Sequence, residues 1–278
     1  NYILSTQDFY KYPTIKKLAE RINSNSYDYQ EQDIQIPVKF KHTDEELTTL
    51  SNFNIKEDIL HNVFLTGANG FVGVHILYEI LNSTNNTIYC LVRGKSHEHS
   101  VSRLIDAYKF YFNTDISDLI GNKVIVVSGD IDLPNFGIDI SSFNSYINNF
   151  STIIHTAAIV KHYGSFEDFD KINIQGTKNV VDFAYAYKKR LIHISSISVS
   201  GNYLVHQDNR NIEFSENSLY IGQHYTDNVY VHSKFEAEKI VIDGMKKGLT
   251  AQIIRIGILA GRYSDGVFQQ KITENAFY

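Results

Sequence analysis

A chain of 278 residues that is 43% hydrophobic carries enough apolar mass for one large domain with a sizeable core, which excludes a disordered segment. Its net charge of -5 supplies no field to gather nucleic acid or an anionic membrane surface, so neither partner is favoured. A single cysteine, Cys90, excludes an internal disulfide framework, suits a reducing compartment and reads as a small apolar packing residue.

In chain order, LSTQDFYKYPTIKKLAERI places Pro13 at a helix start and Ile15, Leu18, Ala19 and Ile22 at helical spacing, a short amphipathic helix. NSNSYDYQEQD follows, polar and rich in Ser and Asn, and reads as a linker. From Val63 the pattern changes to apolar runs that alternate with helical patterns: VFLT, FVGVHILYEILN, IYCLV, SVSRLIDAYKFYF, VIVVS, TIIHTA, FEDFDKINIQGTKNVVDFAYAYKK, LIHISSI, NVYVHSKFEAEKIVIDGMKK and AQIIRIGI. Near-continuous apolar strands between helices predict a parallel sheet covered on both faces, a Rossmann-like doubly wound α/β fold. Ligands of such sheets bind beyond the carboxyl ends of the strands, so those ends carry the candidate residues. No apolar run reaches the roughly 20 residues that span a bilayer, and the N-terminus lacks a signal peptide's apolar stretch; the chain reads as cytoplasmic. It begins at Asn1 and its only methionine is Met245, which reads as a piece of a longer polypeptide.

After the first strand, TGANGFVG spaces Gly67, Gly70 and Gly73 as GxxGxxG before a helix. That pattern allows a tight turn, close approach of backbone to a pyrophosphate and a helix N-terminus facing its charge. The second strand ends in Arg93-Gly94-Lys95, where an acid would take a ribose 2′-hydroxyl. Arg93 offers a fork to a 2′-phosphate instead, with Arg103 as a second cation, and the expectation is NADP rather than NAD. Asp130, after the third strand, is either an acceptor for the adenine amino group or the cap of a turn. Ala157 and Ala158, after the fourth, either let a cofactor lie flat or pack the core. His155 and His162 lack partners at metal-ligand spacing and read as structural.

A tyrosine four residues before a lysine is a weak signal: 19 Tyr and at most 26 Lys in the chain supply up to about 1.8 such pairs by chance. Two occur, Tyr185/Lys189 and Tyr230/Lys234. The first lies at the tail of a helix entering the fifth strand, at the edge away from the cofactor loop. The second follows a strand ending in serines, LIHISSISVSG. Hydride delivered to a carbonyl leaves an oxyanion that needs a proton donor and a hydrogen bond. Tyr230 can give the proton, Lys234 is expected to lower the tyrosine's pKa and to hold a ribose, and Ser196 can orient the carbonyl, with Ser195 its rival. The remainder of that helical stretch, Glu236 to Lys239, reads as ordinary surface.

TGANGFVG, Ser196 five residues before Gly201, and Tyr230/Lys234 resemble an extended short-chain dehydrogenase/reductase. LVRGKS, GDIDLP, IIHTAAIV, NIQGTKNV and especially GRYSDGVFQ resemble the thioester reductase domains that end some nonribosomal peptide synthetases, the narrower likeness being to synthetases of pyrazinones such as aureusimine. FYKYPTIKKLA is similar to the last helix of a peptidyl carrier domain. The resemblance implies residues 1–22 as the end of a carrier, 23–60 as linker and lead-in, 61–262 as the NADP-binding domain, and 263–278 as the start of a truncated substrate subdomain. It implies NADPH contacts from Thr66, Gly67, Asn69, Gly70, Phe71, Val72, Gly73, Arg93, Arg103, Asp130, Ile131, Ala157, Ala158, Asn173, Tyr230, Lys234 and Gly257, no metal, and Ser196, Tyr230 and Lys234 as the catalytic set. Asn173 also matches an asparagine that supports the active site from the neighbouring helix. Where the family reads Gly-Asn after the last strand's arginine, this chain has Gly257-Ile258, which removes a side-chain amide. The implied reaction is release of a phosphopantetheine-bound peptidyl thioester from an adjacent carrier as an aldehyde. The alternatives are a sugar-nucleotide epimerase or dehydratase of the same superfamily, or a non-catalytic nucleotide-binding module.

Overall fold

Side chains along VFLT alternate between two separate apolar layers, as the period of a strand requires. Val63 and Leu65 join Val74, Leu77, Ile80 and Leu104 on one face, while Phe64 joins Phe143, Val180, Phe183 and Val241 on the other. The computed structural model describes residues 12, 14–23, 61–138, 140–161, 163–201 and 214–269. Pro13, His162, most of the linker and the chain after residue 269 lie outside them. Helix α1 (Ile15–Asn23) begins after Thr14, whose Oγ1 accepts the Lys17 N–H at 3.2 Å.

Six strands follow: β1 (Val63–Thr66), β2 (Ile88–Val92), β3 (Val124–Ser128), β4 (Thr152–His155), β5 (Arg190–Ser196) and β6 (Ala251–Ile256). All pair in parallel, in the order β3-β2-β1-β4-β5-β6. The order reverses between β1 and β4, which opens a crevice above their carboxyl ends. Helices α2 (Phe71–Ser83) and α3 (His97–Phe112) cover one face; α4 (Ile140–Ile147), α6 (Gly176–Ala186) and α7 (Val229–Lys246) cover the other. Cys90 is buried in the α2/α3 layer, and burial pushes its thiol up.

Three local features depart from the sequence expectation. Helix α4 is not foreseen, because eight residues with Phe143 and Ile147 as its buried pair give too short a period to read. TIIHTA ends as a strand at His155. The helix expected over 166–189 starts as α5 (Phe166–Phe169), passes through a π segment (Asp170–Gln175) and ends as α6. Such π turns gather at functional sites.

Candidate active site

Gly67 has φ +70, and a Cβ there would lie 2.7 Å from the Ala157 nitrogen. A Cβ on Gly73 would fall 2.1 Å from the Gly67 carbonyl oxygen, so α2 packs on the turn too closely for any side chain. Gly70 meets only that same oxygen, at 3.2 Å, and is exposed, which leaves open space in front of α2. No side chain caps the helix at Gly70, so its first N–H groups remain for an anion. Replacing Gly73 by alanine is expected to cost about 1–3 kcal/mol by overpacking, read as a lower Tm together with weakened dinucleotide binding. The Phe71 ring packs edge-on or tilted against His75, Tyr111 and Phe268, at 4.7, 5.6 and 5.4 Å between centroids. What Phe71 offers the turn is its backbone, at the uncapped start of α2.

Behind the turn, a chain of hydrogen bonds ties β1, β4 and α6 together. The Thr177 hydroxyl donates to the Asn173 carbonyl at 2.6 Å, so it accepts from His155 Nε2 at 3.1 Å. His155 Nδ1 therefore accepts from the Thr66 hydroxyl at 2.8 Å. Burial is the main cause that pulls the His155 pKa down to about 3, with the Lys234 charge second. His155 is a neutral strut, and Thr66 is buried in the same chain with its hydroxyl engaged. Ala157 and Ala158 are half-buried beside it, and Asn69 and Val72 are half-buried in the turn.

At the ends of β2 and β3, Arg93 Nη1 sits 3.4 Å from Asp130 Oδ2, with the arginine side chain 65% exposed. Arg103 donates to the Arg93 carbonyl, and so braces the loop from α3. Ile131 is buried, with Gly176 so close that a Cβ there would lie 2.4 Å from Ile131 Cγ1. Its carbonyl accepts from Asn179 Nδ2 at 2.9 Å.

The serine strand brings the remaining groups together. Ser196, 7% exposed, hydrogen-bonds Tyr230, and its register partner on β6 is Ile256, so Gly257 follows at the same edge with open space around it. Ser195 is turned away, its Oγ donating to Glu238 Oε1 at 2.5 Å. Helix α7 opens on Asn228, whose Oδ1 accepts the N–H groups of Tyr230 and Val231 at 2.9 and 3.1 Å. The cap fixes Tyr230 in the first turn and Lys234 one turn on, where Nζ donates to the Ile194 carbonyl at 2.7 Å. Burial lowers the Lys234 pKa to about 8, against the opposing Glu238 charge. Burial raises the Tyr230 pKa, against the Ser196 hydrogen bond. The expected lowering by Lys234 is therefore corrected: burial governs, and Tyr230 is held as the phenol.

Asn173, in the π segment, is buried, and both ends of its amide are bonded within the protein. Oδ1 accepts the Ile159 N–H at 2.7 Å; Nδ2 donates to the Ile159 carbonyl at 2.9 Å and to Ser233 Oγ at 2.8 Å, which in turn donates to the Tyr230 carbonyl at 2.8 Å. It ties α7 to the loop after β4. Tyr185 is exposed, and Lys189 Nζ donates to the Ile147 and Phe150 carbonyls, closing the end of α4 away from the site. Among the described residues no group of three or more His, Cys, Asp or Glu is placed to hold a metal, and no helix is long and apolar enough to cross a membrane.

Fold and cradle define a Rossmann-like nucleotide-binding domain. Residues 65–277 match the male sterility protein family of NAD-binding domains, and the chain belongs to that family. It is similar to the thiolation-reductase di-domain of an archaeal nonribosomal peptide synthetase, 41% identical with a TM-score of 0.69, over 78% of this chain and 57% of that one. It is also similar to the reductase domain of the aureusimine biosynthetic cluster, 30% identical with a TM-score of 0.65, over 78% of this chain and 54% of the other. A curated relative, the non-canonical nonribosomal peptide synthetase cpsA of Aspergillus campestris, is 31% identical over 200 residues, 71% of this chain and 19% of that protein. The chain thus spans little more than half of these structures and under a fifth of the synthetase.

Proposed function

We propose that the chain is an NADPH-dependent thioester reductase domain that releases a carrier-bound peptidyl thioester as an aldehyde. The observation that carries this reading is the meeting of Ser196, Tyr230 and Lys234 at the carboxyl edge of a sheet whose first strand ends in a glycine turn with no room for a side chain at Gly67 or Gly73. A dinucleotide fits that turn because the closeness of Gly73 to Gly67 and the uncapped start of α2 leave backbone donors facing open space. Gly67, Gly70 and Gly73 would hold its pyrophosphate, Arg93 and Arg103 its 2′-phosphate, Asp130 its adenine, and Lys234 its nicotinamide ribose.

When bound, the reduced nicotinamide supplies a hydride to the thioester carbonyl carbon. Ser196 holds the carbonyl oxygen by a hydrogen bond, and Tyr230, kept protonated by burial, gives that oxygen its proton as negative charge develops. The Lys234 ammonium stabilises the phenolate left behind. The hemithioacetal then loses the pantetheine thiol and becomes the aldehyde. Residues 1–22 fit the end of the carrier that delivers the substrate, residues 61–262 the reductase domain, and 263–278 the start of a subdomain that would shape the peptide pocket.

Mass spectrometry of the products from the carrier-reductase unit, given NADPH and a loaded peptidyl thioester, tests the reading. Aldehyde, its cyclic imine or the alcohol supports it, and a hydrolysed acid with NADPH unconsumed defeats it. The epimerase alternative uses tightly held NAD, which an arginine at the end of β2 disfavours. Arg93→Ala is accordingly expected to weaken NADPH by about 10-fold or more, the worth of one charge-assisted contact, with NADH little affected, as measured by fluorescence titration.

A further inference from the structure

Among the described residues, Lys234 and Glu238 are the charged residues of α7 that are buried, at 4% and 0% exposure. They lie four residues apart, on one stripe of the helix. Glu238 is gripped from two strands. Arg255 on β6 reaches it through Nε, 3.1 Å from each carboxylate oxygen, and through Nη2, 2.7 Å from Oε2; Ser195 on β5 donates to Oε1. Arg255 is itself held by the Ser215 carbonyl at 3.1 Å and lies over the Phe214 ring. The carboxylate is thereby fixed to the strand that carries Ser196 and to the helix that carries Tyr230 and Lys234. A surface pair could not do this, and a pair needed only for stability could be apolar.

We propose that Glu238 is a positioning residue for reductive release: it locks the end of β5 against α7, so that Ser196 meets Tyr230, and it is the counter-charge of the Lys234 ammonium. This rests on the reductase reading above. Among the described residues, Glu238 is the source of negative charge acting on Lys234. Tyr230 is a phenol on the same helix; His155 on β4 and His193 on β5 are held neutral by burial; Thr177 and Asn173 carry no charge. Arg255 acts on Lys234 only through Glu238, and once Glu238 is neutral its positive charge opposes the ammonium.

The sign follows. Burial lowers the Lys234 pKa to about 8 with Glu238 in place, so turnover is expected to fall as pH rises through that value. Without the carboxylate, the ammonium is lost at lower pH.

The test is Glu238→Gln in the carrier-reductase unit. Expected are an NADPH affinity within about threefold of wild type, an unchanged KM for the loaded thioester, kcat lowered about tenfold at pH 8, and an alkaline limb moved down by about one pH unit. In parallel, the Lys234 13Cε resonance is titrated by NMR, a readout independent of turnover, and its midpoint is expected to fall with the limb. If the glutamine variant fails to fold, Glu238→Leu combined with Arg255→Met removes both charges at similar volume, and a midpoint displaced in the same direction, by less because the opposing Arg255 charge is gone, is expected. A Lys234 midpoint and a kcat profile equal to wild type in the folded variant would overturn the proposal. A wild type that consumes no NADPH defeats the reductase reading and the catalytic role together, while the NMR midpoint still reports whether Glu238 is the counter-charge.

Discussion

Replacing Tyr230 by phenylalanine is expected to lower the rate of thioester-dependent NADPH oxidation by about 100- to 10,000-fold, the worth of a positioned general acid. NADPH affinity should change little, because the phenol acts on the substrate oxygen and the ring stays in place. The variant removes one hydroxyl from a half-buried side chain whose helix is fixed by the Asn228 cap and by Ser233 and Asn173. Stopped-flow absorbance for the rate and fluorescence for the affinity separate chemistry from binding. A rate within threefold of wild type would remove the proposed acid.

Arg255→Ala is expected to be the most destabilising single change in the buried polar layer, by about 3–5 kcal/mol. The Arg255 side chain is 13% exposed and Glu238 fully buried, so truncation leaves a carboxylate without its partner and without water. Lys239→Ala on the same helix provides the contrast. Its pair with Glu236, at 2.8 Å, has side chains 35% and 25% exposed and is worth about 0–1 kcal/mol. Denaturant unfolding of the two variants should differ by several kcal/mol; equal losses would contradict the reading of Glu238 as a buried, clamped charge.

Much of the fold is legible because burial on both faces forces whole strands to be apolar: VFLT and IYCLV are buried at every position. The cradle is legible for a related reason, since glycines at 67 and 73 answer a steric demand that leaves a trace in sequence. Glu238 left none. It stands in FEAEK between Glu236 and Lys239, which do form a surface pair. Hydropathy cannot separate a charge on the buried stripe of a helix from one beside it; only the spacing Tyr230, Lys234, Glu238 marks it, once Lys234 is known to face the sheet. The Ser195/Ser196 choice was equally closed to composition, because it turns on which hydroxyl Glu238 captures. The π segment is invisible for another reason: one additional residue per turn changes no residue type, yet it is the backbone from which Asn173 reaches Ile159 and Ser233. The direction of the tyrosine's pKa is not legible either, because sequence places a lysine one turn away without revealing that the phenol is buried deeply enough for desolvation to govern.

The central claim, hydride transfer to a carrier-bound thioester, is tested most directly with NADPH deuterated at the transferred position. Loaded carrier-reductase unit and labelled cofactor are mixed, and the released product is weighed by mass spectrometry. The account predicts an aldehyde, or the imine derived from it, carrying one deuterium at the former carbonyl carbon, or an alcohol carrying two. A carboxylic acid, or any released product without deuterium, would contradict it.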